Sequence, residues 1–149
     1  MIKLYKKLGN LRDSIPIDEK YYLLSQLKLA DVKKGEVYLC YAETQAKNEG
    51  LWKGDFAFYV TLEIRASNMA NTPHQKEDTG NDFVIAENRG DNIINHTDHY
   101  GIDTRIGGFT AIKNYPVLYI NLWAKSGSTK ASKGDKCYFK DNTSLGVFI

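Results

Sequence analysis

The sequence predicts an all-β protein, an antiparallel β-sandwich of jelly-roll type with about eight strands, and two observations carry that reading. The first is a period of two. From Asp55 to Arg65 the residues Phe56, Phe58, Val60, Leu62 and Ile64 alternate with Ala57, Tyr59, Thr61, Glu63 and Arg65. Successive side chains of a strand point to opposite faces, so this run turns one apolar face to a core. The second is the punctuation between such runs. Lys34-Gly35-Glu36, Asn48-Glu49-Gly50, Lys53-Gly54-Asp55, Lys133-Gly134-Asp135 and Asp141-Asn142 are turn chemistries that suit hairpins and corners.

Along the chain, residues 1–14 read as an N-terminal arm or short helix with Ile2, Leu4, Leu8 and Leu11 on one side, an edge strand being the other option. Residues 15–149 read as a single sandwich domain. Its strands are expected over 21–29, 36–43, 55–65, 83–87, 104–112, 116–124, 136–140 and 145–149. In the run Pro116 to Ala124, Leu118, Ile120, Leu122 and Ala124 share the core face. Tyr119, Asn121 and Trp123 share the other, and this aromatic, polar face is the expected subunit interface.

Composition narrows the class. The chain has 149 residues, 42% hydrophobic and 26% charged, which suits one folded unit and excludes collagenous, disordered and disulfide-stapled chains. A net charge of +2 is too small to demand nucleic acid as partner. No apolar run reaches the ~18 residues of a membrane-spanning helix, and the start MIKLYKKLGNLRD lacks a secretory h-region, so neither a membrane span nor an export signal is expected. Cys40 and Cys137 each fall inside a strand-like run and read as buried thiols; whether they pair is left open.

The chemistry-bearing residues gather in the polar stretch 67–102. Between Glu77 and Asp103 seven acids stand against the lone Arg89. His96-Thr97-Asp98-His99-Tyr100 packs two imidazoles, a carboxylate and a phenol into five residues, but its Asn- and Gly-rich flanks read as loop, and a metal would need a third ligand such as His74 or Asp103. The local carboxylates and amides are hard oxygen donors, yet they do not follow a helix-loop-helix calcium spacing. Arg89-Gly90-Asp91 reads as a turn. Trp52, in a turn-rich stretch, joins Arg89, Asp91, His96, Asp98, His99 and Tyr100 as the expected partner- or ligand-binding set, since exposed rings beside polar groups suit stacking on sugars or on another subunit. No phosphate-cradling GxxxxGK and no nucleophile elbow is present, so no catalytic residue, metal or cofactor is assigned.

Ile15 to Lys28, IPIDEKYYLLSQLK, resembles the early strand of tumour-necrosis-factor-like and complement-head jelly rolls, and Lys133 to Ile149, KGDKCYFKDNTSLGVFI, is similar to their closing hairpin. Such heads also cap or decorate viral and phage particles. The resemblance implies a compact homotrimer used for recognition. The expected function is therefore non-enzymatic: a homotrimeric virion head, knob or decoration protein, assembled in the host cytoplasm, whose partners are other virion proteins or a host-surface glycan. An extracellular carbohydrate-binding module is the alternative, and a small hydrolase using His96, Asp98 and His99 is the second.

Overall fold

The computed structural model describes residues 3–48, 58–87, 92–94, 100–128 and 135–149. Among them eleven strands run in chain order: β1 (Leu4–Leu8), β2 (Ser14–Pro16), β3 (Tyr21–Val32), β4 (Val37–Asn48), β5 (Phe58–Ser67), β6 (Asp82–Ala86), β7 (Asn92–Ile94), β8 (Gly101–Thr110), β9 (Tyr115–Gly127), β10 (Lys136–Phe139) and β11 (Ser144–Phe148). All pairings are antiparallel, in two sheets.

Several strands are halves of one interrupted row. β10 and β11 both lie along β4, the first against Ala46–Asn48 and the second against Leu39–Glu43. β1 and β2 lie along β11 and β10, and β6 and β7 along β5. With each such row counted once, the first sheet reads 1-8-3-6 and the second 2-7-4-5 in chain order. These are the interleaved Greek keys of an eight-rowed jelly roll, the predicted fold.

The interruptions coincide in space. The break in the first row, 9–13, and the break in the last, 140–143, are hydrogen-bonded together: Gly9 N donates to Thr143 O (2.9 Å), Asn10 N to the Asp141 Oδ1 (2.9 Å), and Phe139 N to Asp13 O (2.9 Å). The first segment is thus an edge strand paired with β11, which corrects the helical reading of residues 1–14. An apolar residue every three or four positions is ambiguous over so short a run, and a free partner edge decided it.

The core fills the gap between the sheets. Val60, Leu62, Ile64 and Ala66 of β5 and Leu118, Ile120, Leu122 and Ala124 of β9 are all fully buried, as period two predicts. Tyr38, Cys40 and Ala42 of β4 and Leu145 and Val147 of β11 meet them from the opposite sheet. Cys137 lies opposite Asn48, eight positions along β4 from Cys40. Eight residues of strand span roughly 26 Å, far beyond the ~7 Å limit between the Cα atoms of a disulfide, so the two free thiols are not partners in this fold.

Candidate functional site

The outer faces of the two sheets differ in kind. On the second sheet, the residues of β5 that point away from the core include Glu63 and Arg65. A solvated strand face would leave them in water, but the segment 68–81 folds back over them, and the Arg65 side chain is only 3% exposed. Its Nε donates to Asp82 Oδ1 (2.8 Å), one terminal nitrogen to Glu63 Oε1 (3.0 Å), and the other to Asp78 Oδ1 (3.0 Å). Three carboxylates around one guanidinium suit its fixed fork of donors. Burial alone would lower the Arg65 pKa, but the bonds from Glu63 and Asp82 raise it; burial pushes the Glu63 carboxyl up, but His74 and Arg65 outweigh it and hold it below its ordinary range.

His74 anchors the middle of this strap. Its Nε2 lies 3.1 Å from Glu63 Oε1, its ring stacks on Tyr21 at 4.0 Å between centroids, and Trp123 meets it edge-on at 5.4 Å. Gln26 of β3 reaches across the strands, donating from Nε2 to Ala70 O (2.9 Å) and to Asn121 Oδ1 (2.8 Å). Ser67 Oγ bonds the Thr72 hydroxyl (2.6 Å), and Tyr115 donates its hydroxyl proton to Gly80 O (2.8 Å). A cleft of about 540 Å³ opens beside the strap, lined among others by Tyr21, Glu63, His74, Lys76, Glu87 and Lys125. Each Arg65 nitrogen already donates within the chain, so this cluster acts as a clamp.

A second opening, about 650 Å³, lies where the edge strands β6 and β8 of the two sheets approach, lined by Val84–Glu87 and Thr104–Gly107. Here Arg105 of β8 reaches the opposite sheet, donating from Nε to Leu62 O (3.1 Å). Leu62 stands in the interval of β5 between the partners of β6 and β7, so the guanidinium ties β8 to the middle of β5. Gly107 is required at this seam, because a Cβ would overlap the Ile85 carbonyl oxygen.

The first sheet presents the opposite character. Leu4, Leu8, Val37, Leu39, Ile102 and Ile106 are between 49% and 71% exposed and share its outer face; of the exposed large apolar residues only Leu11, Met69 and Ile112 stand elsewhere among the described residues. Leu4, Phe148, Leu39 and Gly108 form one row across the strands, and Lys6, Gly146, Tyr41 and Ile106 the next. Tyr41 lies flat over Gly146, where any Cβ would collide with its ring, so the centre of the face is level.

Of the residues singled out in the sequence, Trp52, Arg89, Asp91, His96, Asp98 and His99 lie outside the described residues. The hydrolase reading rests on three of them. Tyr100 is half-buried beside β8, with the Lys47 ammonium 4.9 Å from its ring centroid. Asn121 and Trp123 do occupy the non-core face of β9, but the chain itself covers them: they are 2% and 8% exposed, beneath the strap. Tyr119, in the same row as Ser67 and Lys28, is half-buried. Burial drives the Cys40 thiol up to about 12 and raises Cys137 further, against a weak opposing bond to Ser126, so neither is an activated nucleophile. Among the described residues no three His, Cys, Asp or Glu side chains converge as metal ligands.

The sequence reading missed the clamp of Glu63, Arg65, His74, Asp78 and Asp82, and the apolar outer face of the first sheet. Both left a signal. Opposite charges stood two apart on the strongest strand, ahead of an acidic stretch, and Val37, Leu39 and Tyr41 are as apolar as Tyr38, Cys40 and Ala42 on the other face.

No protein-family profile matches the chain, and neither does any curated protein. Solved structures do match. Infectious bursal disease virus of the Gx strain superposes with a TM-score of 0.62 at 11% identity, covering 100% of this chain and 33% of that one. The T13 particle of the same virus gives 0.60 at 10% identity, with 99% and 31% covered. Its VP2 subviral particle gives 0.56 at 12% identity, with 99% and 32% covered. The chain therefore spans about a third of the length of the chains it matches. At such identities the likeness is one of fold: this jelly roll, taken whole, is similar to part of a virus-particle protein, whereas the narrower resemblance to tumour-necrosis-factor-like heads has no counterpart in these structures.

Proposed function

We propose that this chain is a structural module of a virus particle that works by assembling with copies of itself and with other virion proteins, without bond-breaking chemistry. The observation that carries the reading is that the entire eight-rowed jelly roll, both sheets included, superposes on infectious bursal disease virus structures. The level, apolar face of the first sheet supports it, since soluble monomers rarely leave so continuous an apolar surface open. Trimeric order and recognition of a partner or surface glycan, through Trp52, Arg89, Asp91, His96, Asp98, His99 and Tyr100, are the finer parts of this reading; they draw on the sequence resemblance and on the rings and polar groups of those residues. Localisation in the virion, with assembly in the host cytoplasm, follows from the same reading.

Light scattering with electron microscopy of the purified chain tests it. The expected result is a mass that is a multiple of 16.9 kDa, with regular oligomers or particles in the images. A mass of one chain at every concentration, with no co-assembly, overturns it.

A further inference from the structure

Building on that reading, we infer that the outer face of the first sheet is a two-fold contact between copies of this chain, with Lys6 of each copy set against Glu43 of the other. Four strand rows about 4.8 Å apart and up to 12 residues long make a face of roughly 19 by 40 Å, on the order of 700 Å². A stable pair needs about 800 Å² from each partner. The face therefore has the size of a complete interface, and no second surface has to be recruited.

Its composition is that of an interface too. Leu4, Leu39, Phe148, Tyr41 and Ile106 make an apolar ground with Lys6 at its β1 edge, and Glu43, Gln45, Thr104 and Lys47 stand towards one end beside Leu8 and Ile102. An apolar centre with a polar rim is the usual anatomy of a protein contact. The seating of Tyr41 over Gly146 keeps that ring from rising above the plane, and the Phe148 ring lies beside it at 5.8 Å between centroids. Two such faces can thus close against each other without a gap.

Charge says which occupant fits. Lys6 and Glu43 are opposite in sign, lie on the outer face, and make no ion pair among the described residues. Lys6 sits in the row of Tyr41 and Glu43 two positions further along β4, two rows away, so about 12 Å separates them and they do not satisfy each other. A two-fold axis lying between two apposed faces, midway between these residues, brings each lysine to the other copy's glutamate and places Tyr41 beside the axis. A two-fold contact must be self-complementary, and one positive and one negative group placed apart on an apolar ground meet that condition. Trimers, where they form, would be joined two by two through the same face.

The test is charge reversal read by sedimentation equilibrium on the full chain. Lys6→Glu sets like charges across the contact twice, and Glu43→Lys does the same with the other sign; each is expected to weaken self-association about tenfold. The double variant Lys6→Glu, Glu43→Lys restores both attractions and is expected to return to the wild-type constant. Ile106→Asp buries a charge at the centre and is expected to weaken association about 30-fold or more. Ile106 is on the surface, so an unchanged circular dichroism spectrum shows that the fold is kept. Wild-type association that none of these variants moves, or single reversals that the double variant fails to rescue, overturns the contact while leaving the assembly reading in place. A wild-type chain that stays monomeric overturns both.

Discussion

Replacing Arg65 with Met tests the clamp most directly, because Met keeps an unbranched stem in the space and removes only the fork of donors. Three charge-assisted bonds vanish, and their acceptors do not suffer equally. Asp78 is 50% exposed and turns to water, so its share is discounted to almost nothing. Glu63 and Asp82, at 11% and 7%, cannot. Breaking a buried ion pair by removing one partner costs about 3–5 kcal/mol, a large part of the roughly 5–15 kcal/mol that holds a typical domain together. Thermal unfolding by circular dichroism should show Tm falling by about 10 °C at pH 7, since each kcal/mol moves a chain of this size by roughly 2–4 °C. The pH dependence has a definite sign. In the wild type Glu63 is held below its ordinary range by His74 and Arg65, so its stabilisation is present above the ordinary carboxylate pKa and is lost as pH falls through the lower folded value. In the variant the burial that pushes this carboxyl up is opposed only by His74, so protonation relieves it, and the gap between the two melting curves narrows from pH 7 towards pH 4. A Tm change under 2 °C at neutral pH, or a gap that stays constant with acid, would refute the reasoning, because either means that the carboxylates had found water.

Other outcomes follow from the same geometry. Arg65→Lys should recover only part of the loss, since one ammonium cannot present donors to three carboxylates set around a planar fork; an equal Tm to wild type would show that charge alone suffices. Gly107→Ala drives a methyl group into the Ile85 carbonyl and should cost about 1–3 kcal/mol in denaturant unfolding, more than Gly146→Ala, where the obstacle is the ring of Tyr41 and can lift; the reverse order would refute the backbone seam. Both cysteines should resist alkylation in the folded chain at pH 8 and react once it is denatured, with no mass change on reduction; a disulfide found by mass spectrometry would contradict the strand register. Thr44→Val strands the buried Thr143 hydroxyl, its 2.8 Å partner at the break in the last row, and should cost about 1–2 kcal/mol, checked by urea unfolding.

The fold was legible because burial on one face writes a period of two into the sequence. Val60, Leu62 and Ile64, and Leu118, Ile120, Leu122 and Ala124, could be assigned to the core residue by residue, and they are there. Strands that own few core positions could not be read. β2 holds three residues and contributes the single buried Ile15, too little for any period. β1 exposes Leu4 and Leu8 on a face that the chain leaves bare, so its apolar residues carried no information about a core. The clamp was illegible for another reason. Alternation says that Arg65 and Trp123 leave the core, but not that the segment 68–81 will return to cover them; that covering depends on Gln26 bonding Ala70 and Asn121, and on His74 reaching Glu63.

The last row has a bearing on how the molecule comes into being. β11 is an inner strand, flanked by β1 on one side and β4 on the other, and β1 holds to the sheet through it. During synthesis β1 must therefore wait for β11 before it finds its place, and until then the long strand β4 presents a bare edge on that side. A chain in which β11 is not yet in place offers every neighbouring nascent chain a template for mispairing. Completing β11 promptly therefore matters as much as the stability of the sheet it joins.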